Sequence, residues 1–261
     1  MNPLNFLYLA NVLVMLKIFQ LLFLSILSLT CFGQKYIKPF IGLNFSDRLL
    51  SSEFSQRKDS LNQSDKIKAF PTAGVQFLFE KEPGREVYVG VVYSESGFVR
   101  ERFNYKFRDT VHPELGQIFD LSQGADKNVF FTYRFKYVEI PLGFNFQFTP
   151  RQYMNTFTGW FNAGLTPSLL IKQNMTIFLE GFSMKGKNRF KFDETGYGAA
   201  KFNLAFQTGS RFDIKLNSKL WVTLDALFRI HLLKTASNSN ENLRLVNLSG
   251  HLGLRYEVGN Y

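Results

Sequence analysis

The side chains in this sequence that could do chemistry are few and far apart. The histidines are His112, His231 and His251. A metal site needs two or more ligands at a fixed repeat, such as i and i+2 on a strand or i and i+4 on a helix, and these three are isolated. His231 and His251 fall on neighbouring strands at inward positions, so a meeting of the two imidazoles is the one arrangement their placement leaves open. Ordinary hydrogen bonding inside the fold is the expected role. His112 with Asp109, in a long loop, is the one base–acid pair that could serve an enzyme site at an outer rim; His112-Pro113 reads instead as exposed turn sequence. Cys31 is the sole cysteine, in a segment expected to be removed. The mature chain would then have no thiolate nucleophile, disulfide or cysteine metal site. No Gly-rich phosphate loop follows a strand and precedes a helix; Gly196-Tyr197-Gly198 opens a strand. The sequence thus predicts no catalytic, cofactor-binding or metal residues, and a protein that is not an enzyme.

Two further features concern charge. The net charge is +10, and loss of Lys17 with a leader leaves +9. Such a balance suits nucleic acid, acidic lipid or polyanionic glycan, but the lysines and arginines are scattered among aromatics along strands, with no cluster dense enough for a nucleic-acid groove. The stretch 174–195 is basic and aromatic, with Lys185, Lys187, Arg189, Phe190, Lys191 and Phe192. Exposed, it could meet acidic lipopolysaccharide headgroups or a partner protein. Its alternation favours a hairpin that extends beyond the membrane.

These residues are positioned by strands. The 261 residues include 30 Phe and 11 Tyr, types favoured in strands and at membrane–water interfaces. Period-two alternation recurs along the chain. Val138, Ile140, Leu142, Phe144, Phe146 and Phe148 alternate with Glu139, Pro141, Gly143, Asn145 and Gln147. Leu252, Leu254, Tyr256 and Val258 alternate with His251, Gly253, Arg255 and Glu257. Eight strands are predicted at about 35–46, 70–80, 86–107, 128–148, 157–173, 196–213, 219–233 and 244–258. Long and short connectors alternate, as in bacterial membrane barrels with long external loops and short periplasmic turns. An even strand count puts both ends of the barrel on the periplasmic side.

Alternation alone does not separate a soluble barrel, apolar inside, from a membrane barrel, apolar outside. Strand length favours the second, since a tilted membrane strand needs roughly 9–11 residues. So do the mixed charges of the polar face. Arg211, Asp213, Asp225, Arg229, Arg255 and Glu257 would crowd a narrow lumen and fill it as a paired network. The expected fold is all-β: a closed antiparallel up-and-down transmembrane barrel of about eight strands. Glu139 and Pro141 face its lumen. Glu139 is expected to pair with a lumen Arg or Lys, a proton-relay or ligand role being the alternative, and Pro141 to mark a kink or bulge.

Residues 1–33 read as a signal peptide ahead of a barrel domain at 34–261. Lys17 supplies the positive region, 18–29 (IFQLLFLSILSL) the apolar core, and Cys31-Phe32-Gly33 the small residues for cleavage. Translation starting at Met15 explains the extra apolar patch before it. An uncleaved anchor is the alternative, and Ser28-Leu29-Thr30 makes a poor lipobox.

The segment Tyr137-Val138-Glu139-Ile140-Pro141-Leu142-Gly143-Phe144 resembles a recurrent strand of the PorT-type outer-membrane β-barrel proteins of Bacteroidetes, and the leader ending in Phe-Gly-Gln is similar to their export signals. The resemblance implies an outer-membrane barrel and says little about activity. His251-x-Gly253-x-x-Tyr256-x-Val258 resembles the C-terminal signal read by barrel-assembly machinery. The expected partners are the outer-membrane bilayer, that machinery during biogenesis, and a protein or glycan at the external loops, with no nucleic acid. The expected role is structural or interactive with a filled lumen; a small solute channel and a rim-located enzyme are the alternatives.

Overall fold

Alternating segments of this length become strands because each can bury one face and pair its whole backbone with neighbours. In the computed structural model, eight long strands do so around a closed ring. It describes residues 34–52, 64–102, 110–112, 116–118, 128–149, 156–180, 188–193, 195, 197–237 and 241–259. The predicted leader, and positions 103–107 at the end of the third predicted strand, lie outside these. The strands are β1 (Gln34–Ser52), β2 (Lys68–Glu82), β3 (Arg85–Arg102), β4 in two pieces (Asn128–Glu139 and Leu142–Gln147), β5 (Phe157–Glu180), β6 (Phe202–Lys215), β7 (Leu220–His231) and β8 (Glu241–Gly259). Each pairs antiparallel with the next along the chain, and β1 pairs with β8, from Lys35 opposite Gly259 to Ser52 opposite Glu241. The ring of eight strands therefore closes without a free edge, the condition for crossing hydrocarbon.

The turn between β2 and β3 is Pro83-Gly84, with Gly84 at φ 86°. Proline at the first central position and a left-handed glycine at the second are the residues of a type II turn. β4 is broken at Ile140-Pro141, as the proline predicts. Pro141 has no N–H, but its carbonyl accepts from Gly90 N at 2.9 Å, and Ile140 N donates to Pro167 O at 2.9 Å. The register is thus carried across the break.

Side-chain parity follows the sequence. Odd positions of β1 face outward, with Ile41 66% exposed, and even positions of β8 do the same, with Leu248 58% exposed. On the outer wall near the turn end, Phe157 stacks on Phe212 and Phe148 meets Phe212 edge-on, where an aromatic girdle belongs. An apolar exterior running round a whole barrel far exceeds the few hundred Å² patch of a typical soluble protein. The inside-out arrangement is that of an outer-membrane β-barrel.

Three boundaries differ from the prediction. β1 runs on to Ser52 because Arg48 is not loop: it turns inward and binds Asp65. β5 runs on to Glu180, and Arg189–Phe192 pairs with Met175–Phe178, so much of the supposed loop 174–195 is a hairpin prolonging the wall, as its alternation suggested. β6 begins at Phe202 instead of 196. Gly198–Ala199 leaves the wall and pairs with Ala236–Ser237, which pairs with β8. The cause is burial: Tyr197 packs edge-on to Tyr133 with ring centroids 5.4 Å apart, so this segment folds inward over the loop end of the lumen.

Candidate functional site

The lumen is where the polar faces converge. Its turn-end half is built on two arginines and two carboxylates. Arg211 on β6 donates from Nη2 to Glu86 Oε2 at 2.6 Å, and Arg255 on β8 donates from Nη1 to Asp213 Oδ2 at 2.8 Å and from Nη2 to Glu86 Oε1. Arg211 Nε also stands 3.0 Å from Asp213 Oδ1, a charge contact without hydrogen-bond alignment. Asn145 adds an N–H to Glu86 at 3.1 Å. All four charged side chains are at most 4% exposed.

Aromatic rings wall this cluster. The Arg255 guanidinium lies 3.6 Å from the Tyr36 ring centroid and 5.6 Å from that of Trp160, and Arg211 lies 4.8 Å from Trp160. Trp221 closes the floor edge-on to Tyr36 at 5.7 Å. Guanidinium suits such a place because it stacks on rings while its fork holds carboxylates.

Further layers follow toward the loops. Lys38 donates to both oxygens of Asp225, at 2.9 and 3.1 Å. Beside them Tyr88, Asn162 and Gln207 form a neutral network, with Gln207 Nε2 donating to Tyr88 Oη at 3.0 Å and the Tyr88 hydroxyl donating to Asn162 Oδ1 at 3.2 Å. Arg229 donates to Glu139 at 2.5 Å, the pairing expected for Glu139. Above that, Phe98, Tyr133, Phe135, Tyr137, Leu243 and Leu245 make an apolar plug inside the barrel, joined by Tyr197 and Ala236 from the infolded segment. Arg48 and Arg100 clamp Asp65 over it, each stacked on Phe98. A narrow barrel of eight strands leaves room for side chains to fill the interior, and large fully buried residues (Trp160, Arg211, Arg229, Tyr88, Tyr137, Phe98) do so here.

Of the residues singled out from sequence, Arg211, Asp213, Asp225, Arg229, Arg255 and Glu139 all enter this interior. Glu257 departs from the expectation: it is only half-buried at the turn end of β8, below the network. The histidines do not meet. His251 stacks on Phe40 at 4.5 Å with Nδ1 3.8 Å from Asp225, and Asp225 is its cross-strand partner. His231 lies six residues further along β7, roughly 20 Å away at 3.4 Å per residue, with Nδ1 3.5 Å from Thr235 Oγ1. Among the described residues no group of three or more His, Cys, Asp or Glu could hold a metal ion. Asp109 lies outside the described residues. The backbone of Thr110–His112 pairs with Gly116–Ile118 as a small separate hairpin.

No family model matches the chain, and no curated protein does. Solved structures do resemble it. The attachment invasion locus protein Ail of Yersinia pestis is 12% identical, with 86% of this chain and 99% of that one covered and a TM-score of 0.34. Neisserial surface protein A is 12% identical, with 86% and 97% covered and a TM-score of 0.38. The outer membrane protein OprG from Pseudomonas aeruginosa is 9% identical, with 88% and 97% covered and a TM-score of 0.44. The barrel architecture stands on the strand pairing itself.

Sequence reasoning missed Glu86 and Lys38, the carboxylate that joins both arginines and the ammonium that answers Asp225. The signal was present. Glu86, Tyr88 and Val92 alternate with Val87, Val89, Val91 and Tyr93, which places Glu86 on the inward parity. On the external hairpin, Lys172 pairs with Asp193 at 2.8 Å, and this contact holds the Asp193 carboxyl below its usual range.

Proposed function

We propose that this is an outer-membrane β-barrel of the PorT type, exported by residues 1–33 and folded by barrel-assembly machinery, whose role is structural or interactive through its external loops. It has no active site of its own and does not conduct solutes. The single observation that carries the sealed reading is the Arg211–Glu86–Arg255–Asp213 cluster, packed on Trp160 across the lumen floor. A bore that passed ions would keep these charges apart and hydrated; here the four side chains pair with one another and are at most 4% exposed. The PorT assignment rests on the Tyr137–Phe144 motif. Within it Tyr137 enters the interior plug and Glu139 the pair with Arg229.

Planar-bilayer recording tests the sealed lumen. The purified barrel is expected to insert without discrete openings; stable unitary currents of one size would sink the reading in favour of a small solute channel. Fractionation tests the location. The folded protein should sediment with outer membranes and migrate anomalously on a gel until boiled, whereas recovery from aqueous lysate without detergent would contradict it.

A further inference from the structure

A groove of about 690 Å³ lies on the outer wall of the barrel near the loop end, apart from the lumen network. Its floor belongs to the β4–β5 ladder. Thr132 faces Thr176, and two residues higher Phe130 faces Phe178, with ring centroids 5.9 Å apart. The hairpin strand Arg189–Phe192 continues both rungs, placing Lys191 opposite Thr176 and Arg189 opposite Phe178. From the other side, Lys68 on β2 donates to the Thr132 hydroxyl at 3.2 Å. Cations thus stand at both ends of a pair of hydroxyls, with Arg134 as a fourth. The lining holds one carboxylate, Glu180, and the carboxylates nearby are engaged. Glu180 accepts from Asn128 at 2.9 Å, Glu95 is shared by Arg134 and Lys136 at 3.4 and 3.0 Å, and Asp193 is held by Lys172 at 2.8 Å. Among the described residues no carboxylate makes an ion pair with Lys68, Arg189 or Lys191. Like charges gathered without a counterion cost free energy, and a polyanion placed among them would remove that cost.

The strand register sets this floor in water. Above the exposed pair Val138–Leu169, the outward residues of β4 are Lys136, Arg134 and then Thr132, and their partners on β5 are Lys172, Asn174 and Thr176. Polar rungs therefore part the floor from the apolar wall. At 3.4 Å per residue and a strand tilt near 40°, Thr132 stands about 16 Å above Val138 along the barrel axis. The headgroup layer is only about 5–8 Å deep on each side of the hydrocarbon. The ligand is thus a soluble one. The volume is that of a small-molecule site. Four cations less one carboxylate leave a charge of +3, more than the roughly −2 of a single phosphate. A peptide finds no backbone to pair with, since the floor strands are paired on both edges. Hydroxyls beside aromatic ring faces suit a polyol instead. Thr132 accepts from Lys68 and keeps its own hydrogen to donate.

We propose that this groove binds a soluble saccharide carrying two phosphates, held by Lys68, Arg189 and Lys191, with the Thr132 and Thr176 hydroxyls meeting its hydroxyls and the Phe130 and Phe178 rings its carbon skeleton. Guanidinium and ammonium groups together are suited to phosphate, the first by its fork and the second as a point charge. The assignment names a ligand class for the interactive role proposed above and rests on that reading.

The test is titration calorimetry of the full chain in zwitterionic micelles, with fructose 1,6-bisphosphate, inorganic phosphate and a doubly phosphorylated serine peptide as probes. The wild type is expected to bind the sugar bisphosphate more tightly than either of the others. The Lys68→Gln/Arg189→Gln/Lys191→Gln variant should bind it at least about tenfold more weakly, the factor one charge-assisted contact contributes. An Arg85→Gln/Lys219→Gln variant, at the opposite end of the barrel, should bind as the wild type does. Equal affinity in the wild type and the triple variant overturns the proposal. So does a wild type that binds inorganic phosphate as tightly, which would make the groove a site for the bare ion, or the phosphopeptide as tightly, which would make it a peptide site. Heat-modifiability of the same samples shows which variants are folded barrels. If the triple variant fails to shift on boiling, Lys191→Gln alone, on the exposed hairpin, is titrated and judged by the same tenfold loss. A barrel that stays in outer membranes but ignores the bisphosphate overturns the groove alone, whereas a wild type that needs no detergent fails the membrane reading.

Discussion

Glu86→Ala is expected to lower the unfolding free energy by about 3–5 kcal/mol, the usual cost of removing one partner from a desolvated ion cluster. Glu86 accepts from Arg211, Arg255 and Asn145 and is fully buried. Without it, Arg211 keeps only Asp213, while Arg255 keeps Asp213 and a longer contact to Glu80 at 3.6 Å, all with little exposure to solvent. Trp160 sits against both arginines, so urea titration in lipid vesicles, followed by tryptophan fluorescence, reads the site directly. Adding Arg211→Met should recover part of the loss, because the remaining Arg255–Asp213 pair is then balanced. A Glu86→Ala penalty below about 1 kcal/mol, the ceiling for exposed pairs, would mean the cluster is hydrated, and the sealed-lumen reading would fall with it.

The second large effect concerns the outer wall. Leu252 lies in register with Ile41 on one side and Leu224 on the other, all three exposed on the outer face. Leu252→Arg should cost about 2–4 kcal/mol in a bilayer, the depth-dependent penalty for a charge near its middle. Leu49 is also on the outer face and half exposed, but lies eight residues above Ile41 on β1. Leu49→Arg should cost only about 0–1 kcal/mol, the value near the interface. The contrast is the diagnostic. In water the two positions are equivalent exposed leucines, and equal, small effects of both substitutions would show that lipid does not cover this wall.

Much of the barrel was legible because parity is a local property. An outward Val138 implies an inward Glu139, whatever the partner strand is, and the order of long and short connectors already implies a meander. Local signals failed where burial was decided by a residue far along the chain. Arg48 reads as loop until Asp65 and Phe98 are known to lie beside it. Positions 196–201 read as the start of a strand until Tyr197 is seen to fold in against Tyr133. Glu257 shares parity with Arg255, but one step beyond the network at the turn end it is only half-buried.

By itself the sequence determined the alternation, the eight strands, the break at Pro141 and the inward set of charges, because all of these depend on neighbours one to four positions away. The tertiary structure alone decided which charges meet. Glu86 and Arg255 are 169 residues apart in the chain, and closing the ring with a particular stagger puts them on one level. The same stagger separates His231 from His251 and brings Lys68 beside Thr132 on the outer wall. Pairing across a barrel depends on register and shear summed over all eight strands, a quantity that no single segment carries.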